Sequence, residues 1–158
     1  MPGSGWNFTA RPDGTLVING REYPYMYYEA QFSPETGVPE FSGRGSVVAR
    51  EDTAAFLEEA LDAMGLTYKE KADFITFWLP LMAENEYNRV EFLINGQADA
   101  LMPLYVTPEP DNIFQVFMLF ASCGPETAEL LEPQEFEPFS REGFYVLEWG
   151  GSDLSGIR

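Results

Sequence analysis

Apolar and polar positions alternate near the start of the chain, with Trp6, Phe8 and Ala10 set between polar neighbours. A period of two is that of a half-buried strand. Arg11-Pro12-Asp13-Gly14 follows as a turn, in which proline presets one dihedral and glycine supplies the left-handed position. Residues 15–18 predict a second short strand, and Asn19-Gly20 is the strongest two-residue hairpin signal a sequence carries. Residues 22–32 predict a third strand rich in rings: Tyr23, Tyr25, Tyr27, Tyr28 and Phe32. On such a strand Tyr23, Tyr25 and Tyr27 share one face, and Met26 and Tyr28 the other.

The period then lengthens. Residues 33–45, punctuated by prolines and glycines, predict a loop, and residues 46–49 a short strand. Asp52 is placed to cap a helix whose apolar positions Phe56, Leu57, Ala60, Leu61 and Met64 fall on one face. Gly65 should end it. Thr67-Tyr68-Lys69-Glu70 is a capping box opening a second helix. There Phe74, Ile75, Phe77, Trp78, Leu79, Leu81 and Met82 cover nearly every face, which predicts burial on several sides. Pro80 should kink or end that helix.

Strand patterns return after it. Residues 89–94 predict a strand, Asn95-Gly96 a second hairpin turn, and residues 98–106 the returning strand, with Pro103 marking an edge or bulge. Residues 108–111 read as a turn and 113–121 as a central strand, because that run is the most continuously apolar. Residues 124–141 read as extended loop or an edge strand near 128–131, and 143–149 as the last strand. Residues 1–5 have neither the charged nor the apolar region of a signal peptide and read as a flexible leader. Residues 152–158 read as a loose tail. The expectation is one α+β domain over residues 6–151: an antiparallel sheet or sandwich of about seven strands interrupted by a two-helix hairpin.

Charge narrows the partners. Twenty-six acidic residues oppose nine basic ones, for a formal net charge of -17. Such a surface repels nucleic-acid phosphates and anionic lipid, so neither is expected as a partner. The longest apolar stretch, residues 74–82, is interrupted by Thr76 and Pro80 and falls far short of the roughly 20 residues of a membrane span.

Chemistry is narrowed further by what is missing. The chain has no histidine and one cysteine, Cys123. That removes His-based triads, Cys–His pairs, His-ligated zinc and any disulfide within the chain. Cys123 lies beside Gly124-Pro125 without a basic neighbour and reads as an inert thiol. Asp99 and Asp111-Asn112 read as turn residues without a calcium-loop pattern. Lys69 and Lys71, the two lysines, sit at a helix start, away from any core crosslink. Gly43-Arg44-Gly45 is too short for a phosphate loop. No metal and no cofactor is expected.

Three readings remain. In the first, Tyr23, Tyr25, Tyr27 and Trp149 are ligand-binding residues of a non-enzymatic binding or structural module that takes a carbohydrate, a peptide or a protein. The ordinary role of such rings is cross-strand packing. In the second, the acidic surface acts as a decoy occupying the basic face of a nucleic-acid-binding protein. In the third, Glu29 and Glu148, both in apolar surroundings, form the acid/base pair of a glycosidase, which needs them about 5–10 Å apart across a cleft. Strand alternation opposes the third, since Tyr145, Leu147 and Trp149 face one way and leave Glu148 outward with Phe144 and Val146.

Several segments together carry a likeness: Pro12-Asp13-Gly14-Thr15-Leu16, Arg21-Glu22-Tyr23-Pro24-Tyr25, Phe77-Trp78-Leu79-Pro80-Leu81-Met82, Pro108-Glu109-Pro110-Asp111 and Val146-Leu147-Glu148-Trp149-Gly150-Gly151. On them the chain resembles, over residues 6–151, a bacterial module associated with extracytoplasmic and surface proteins. The resemblance implies a non-catalytic module and an extracytoplasmic or cell-surface location, and it transfers no site residue.

Overall fold

The computed structural model describes residues 5–32 and 37–156. The chain divides into two compact units, residues 1–32 and 33–158, a boundary that falls inside the span read as one domain. Residues 33–36 of the expected loop and residues 1–4 of the expected leader lie outside the described residues.

The N-terminal unit is a three-stranded antiparallel meander of β1 (Thr9–Ala10), β2 (Leu16–Ile18) and β3 (Arg21–Tyr23), in that order. Its turns form as the sequence predicts. Gly14 takes φ 85° and donates its N–H to Arg11 O at 2.9 Å. Asn19 and Gly20 both have positive φ, 51° and 77°, as a primed hairpin turn requires.

The expected third strand over 22–32 stops at Tyr23. Tyr23 pairs with Leu16, the first residue of β2, so the partner strand has run out. Pro24 follows and has no N–H to offer a ladder. Tyr25, Tyr27 and Tyr28 therefore lie on irregular backbone, and strand alternation does not decide where they face.

The C-terminal unit carries a four-stranded sheet in the order β4 (Ser46–Ala49), β5 (Tyr87–Ile94), β6 (Asn112–Ser122), β7 (Tyr145–Asp153). Helices α1 (Thr53–Ala63) and α2 (Tyr68–Met82) intervene between β4 and β5, giving the α+β class that the pattern predicts. The sheet is not wholly antiparallel, because β7 runs parallel to β6. The connection over 123–144 is long enough to return the chain to the other end of the sheet, which a parallel pair requires. It includes a 3₁₀ turn, Pro125–Leu130, where an edge strand was a possible reading.

The core lies between the helix pair and one sheet face. Leu57, Ala60, Leu61 and Met64 from the α1 segment meet Phe74, Trp78 and Met82 of α2, and Val90, Phe92, Phe114, Val116, Met118 and Phe120 of the sheet. The buried positions of α2 recur every fourth residue, so it buries one stripe. Burial on several sides does not occur: Phe77 and Leu81 are 45% and 48% exposed. Pro80 sits in the last turn, and the helix ends at Met82.

Local signals explain the helix ends. After α1, Gly65 at φ 83° and the bonds Leu66 N–H to Leu61 O (3.0 Å) and Gly65 N–H to Asp62 O (2.9 Å) form a Schellman motif. Thr67 and Glu70 make the reciprocal capping box. Asp52 precedes α1 but makes no side-chain cap, because Arg50–Asp52 already form a 3₁₀ turn. Thr53 instead donates its hydroxyl to Ala49 O at 3.0 Å.

The second hairpin and the strand over 98–106 are replaced by a short helix, α3 (Gly96–Leu101). Asn95 explains the exchange. Its N–H donates to Gln115 O (2.9 Å), while its side-chain Oδ1, in place of its own carbonyl, accepts from Gln115 N–H (3.0 Å). The released Asn95 carbonyl accepts from Asp99 N–H at 2.8 Å and starts the helix. The expected loose tail is corrected over residues 152–154, and its residues 157–158 lie outside the described residues. Ser152 and Asp153 belong to β7, and buried Leu154 donates its N–H to Phe120 O at 2.8 Å.

Candidate functional site

The face of the sheet turned away from α1 and α2 carries two buried polar side chains, Glu91 and Gln115. Glu91 is fully buried and accepts from Ser42 N–H (2.9 Å) and Ser42 Oγ (2.5 Å). One row of that face holds Asn95, Gln115 and Glu148 on neighbouring chain segments, by register. Gln115 donates its Nε2 to Glu148 Oε2 at 2.7 Å. Arg89 lays its guanidinium over the Phe41 ring at 4.0 Å. Glu91 and Arg89 fasten residues 42 and 41 to the sheet, which is a structural task, while the buried Arg89 Nε has no hydrogen-bond partner among the described residues.

The remaining sequence candidates have assigned partners too. Glu29 belongs to the N-terminal unit and accepts from the Tyr27 hydroxyl at 2.7 Å, a bond that pushes the Tyr27 pKa up. Glu148 belongs to the C-terminal unit. Asp111 Oδ2 accepts from Phe144 N–H at 2.7 Å, and Asp99 Oδ1 from Leu104 N–H at 3.2 Å. Among the described residues no group of three or more acidic or cysteine side chains converges as a metal site would. Burial pushes the Cys123 thiol up, which disfavours a thiolate nucleophile. No helix among the described residues is long and apolar enough to cross a membrane.

Trp149 sits at the edge of the core, its ring centroid 5.2 Å from that of Phe74. Leu147 packs on the same core, as strand alternation predicts for that pair. The tyrosines differ from Trp149. Tyr23 ends β3, and no described residue in 5–32 is buried. Tyr25 and Tyr27 are 52% and 60% exposed, and Trp6, Phe8, Tyr23 and Tyr28 are exposed as well. Trp6 and Tyr28 touch in a tilted pair, 6.0 Å between centroids.

Sequence reasoning did not anticipate a groove of about 490 Å³ beside β4, between Val47 and Ala49 on the strand and Asp52, Phe56 and Glu59 on the α1 segment. No local signal marks it, because the edge position of β4 follows from the strand order. No protein-family model, curated protein or solved structure matches the chain. The resemblance to a surface-protein module therefore assigns no family.

Proposed function

We propose that the chain is a non-enzymatic binding module whose N-terminal unit grips a segment of a partner protein through Tyr23, Tyr25 and Tyr27, with Trp6 and Tyr28 beside them. The observation that carries this reading is the exposure of these rings on a unit that buries none of its described residues. Strands of two and three residues make a marginal sheet, and such a sheet gains its missing burial by covering its rings with a partner. Tyrosine suits that task, since it brings large contact area and a hydroxyl at low entropic cost. A peptide is favoured over a sugar. Stacking on sugars asks for rings fixed flat on a rigid element, and residues 24–32 form neither strand nor helix.

The test is selection of binding peptides from a random displayed library, alongside a glycan array, with wild-type chain and a Tyr25→Ser/Tyr27→Ser variant. The expected outcome is a set of peptides bound by the wild type and lost by the variant, with unchanged far-UV circular dichroism. Glycan binding that depends on the same tyrosines, or peptide binding indifferent to them, overturns the reading. Binding that collapses with modest salt and ignores the tyrosines would point to the acidic decoy instead.

A further inference from the structure

The four-stranded sheet has an open edge at β4, and the backbone there is set to receive another strand. Arg50 N–H points toward the β5 side and donates to Glu86 O (3.0 Å), in line with the register that sets Ser46 opposite Val90 and Val48 opposite Asn88. In an antiparallel pair, successive residues alternate in which side their N–H and C=O serve. Ser46 and Val48 therefore serve β5, and Val47 and Ala49 face outward. The Ala49 carbonyl is taken by the Thr53 hydroxyl. Glu132 pairs with the chain at Gly43 to Gly45, and the 3₁₀ turn Pro125–Leu130 packs near β4 without a backbone bond to Val47. Among the described residues nothing pairs with the outward N–H and C=O of Val47.

That open pair borders the groove described above. Phe56 and Ala55 form its apolar floor on α1, and Asp52 and Glu59 supply its charge. The flanking chain deepens the field: Glu51, Asp52, Glu58 and Glu59 stand against Arg50 alone between residues 50 and 59, while Asp62 is paired with Lys71.

We propose that this edge takes up an extended, basic segment of another protein as an added strand. Its backbone exchanges two hydrogen bonds with Val47. One apolar side chain enters the groove on Phe56, and lysine or arginine side chains reach Asp52 and Glu59. Main-chain pairing gives such strand addition its affinity, and alternate side chains give its specificity. Charge argues against a second copy as the occupant, since two chains of -17 each repel. The surface is separate from the tyrosines in sequence and chemistry, and it stands or falls independently of them.

The experiment uses the full chain, isotope-labelled, titrated with a short synthetic peptide alternating valine and lysine. The controls are the same peptide N-methylated at alternate residues and one alternating valine and glutamate. The expected result is amide shifts centred on Val47, Ala49 and Phe56, with slowed hydrogen exchange at Val47. N-methylation should abolish it. Charge reversal by Asp52→Lys/Glu59→Lys, both at the surface, should weaken it tenfold or more, while Tyr25→Ser/Tyr27→Ser leaves it unchanged. Equal binding of the N-methylated peptide would show charge attraction without strand addition and overturns the proposal. So do shifts away from β4, and so does dimerisation of the free chain through Val47.

Discussion

Arg141 holds both carboxylate oxygens of Glu70, Nη1 to Oε1 at 3.1 Å and Nη2 to Oε2 at 2.5 Å, while Nη2 also donates to Gly65 O at 2.9 Å. One side chain thus ties the 123–144 connection to the turn between α1 and α2. Its guanidinium also lies 4.4 Å from the Phe139 ring centroid. Phe139 in turn stacks on Phe114 of the central strand, 4.7 Å away and nearly parallel.

Removing this clasp should destabilise the C-terminal unit. Arg141→Ala is expected to cost about 1.5–3 kcal/mol, the range for hydrogen bonds to charged groups. Arg141→Lys should recover less than half, because an ammonium cannot present the bidentate fork. Urea midpoints with an unchanged slope check both.

The same contact has a pH signature. Burial pushes the Glu70 carboxyl up, but the Arg141 guanidinium and the Thr67 donors outweigh it and hold the carboxyl below its ordinary value. A depressed carboxylate stabilises above its unfolded pKa, about 4.3, and loses that contribution as pH falls through the folded value. The stability gap between wild type and Glu70→Gln should therefore be constant near neutrality and shrink below about pH 4.3. A gap that widens on acidification would refute the assignment.

Two glycines should respond in opposite directions. A Cβ at Gly45 would lie 2.2 Å from Val90 O at φ 119°, so Gly45→Ala must move backbone in the sheet and should cost about 1–3 kcal/mol or more. Gly96 begins α3 with open space around its Cα. Gly96→Ala should raise stability by about 0.4–1 kcal/mol. Thermal melts of the two variants decide the matter.

Gln134 replaces a strand. Its Oε1 accepts from Phe92 N–H (2.8 Å) and its Nε2 donates to Phe92 O (2.9 Å), just past the point where β4 ends opposite Val90. Gln134→Ala leaves both backbone groups without that partner and should cost about 1–3 kcal/mol. Gln134→Glu keeps the acceptor but sets a carboxylate against the Phe92 carbonyl. It should be destabilising at neutral pH and partly recover near the ordinary carboxylate range, about pH 4. Chemical denaturation at both pH values measures this.

Trp78 is buried, yet its indole Nε1 has no hydrogen-bond partner among the described residues. Trp78→Phe removes the orphan donor and keeps most of the ring contacts, so it should cost less than about 1.5 kcal/mol. Trp78→Ala should cost about 3–5 kcal/mol. Similar losses in the two variants would show that the indole edge matters more than the ring contacts retained by phenylalanine.

Much of the C-terminal unit was legible because its signals are local. The Gly65 stop, the Thr67–Glu70 box, the apolar stripe of α1 and the continuous run of β6 each act within a few residues. What the sequence concealed depends on distant partners. Asn95-Gly96 has hairpin chemistry, but Gln115 takes the Asn95 side chain and frees its carbonyl to begin a helix. The tyrosine segment has strand composition, but β2 is too short to pair with it beyond Tyr23. The rings themselves were visible as candidates from their density. The β4 groove was not, because an open edge is defined by the absence of a neighbour, and that follows only from the strand order.

The parallel placement of β7 governs how the unit must assemble. Antiparallel neighbours β4, β5 and β6 can meet as the chain emerges, but β6 keeps one whole side unfilled until residues 145–153 cross back to it. A fragment stopping at residue 144 would display the longest and greasiest strand as a naked template for its own kind. Truncations from that end should therefore turn into aggregates rather than smaller folded proteins, and the crossover is the segment on which solubility during biosynthesis hinges.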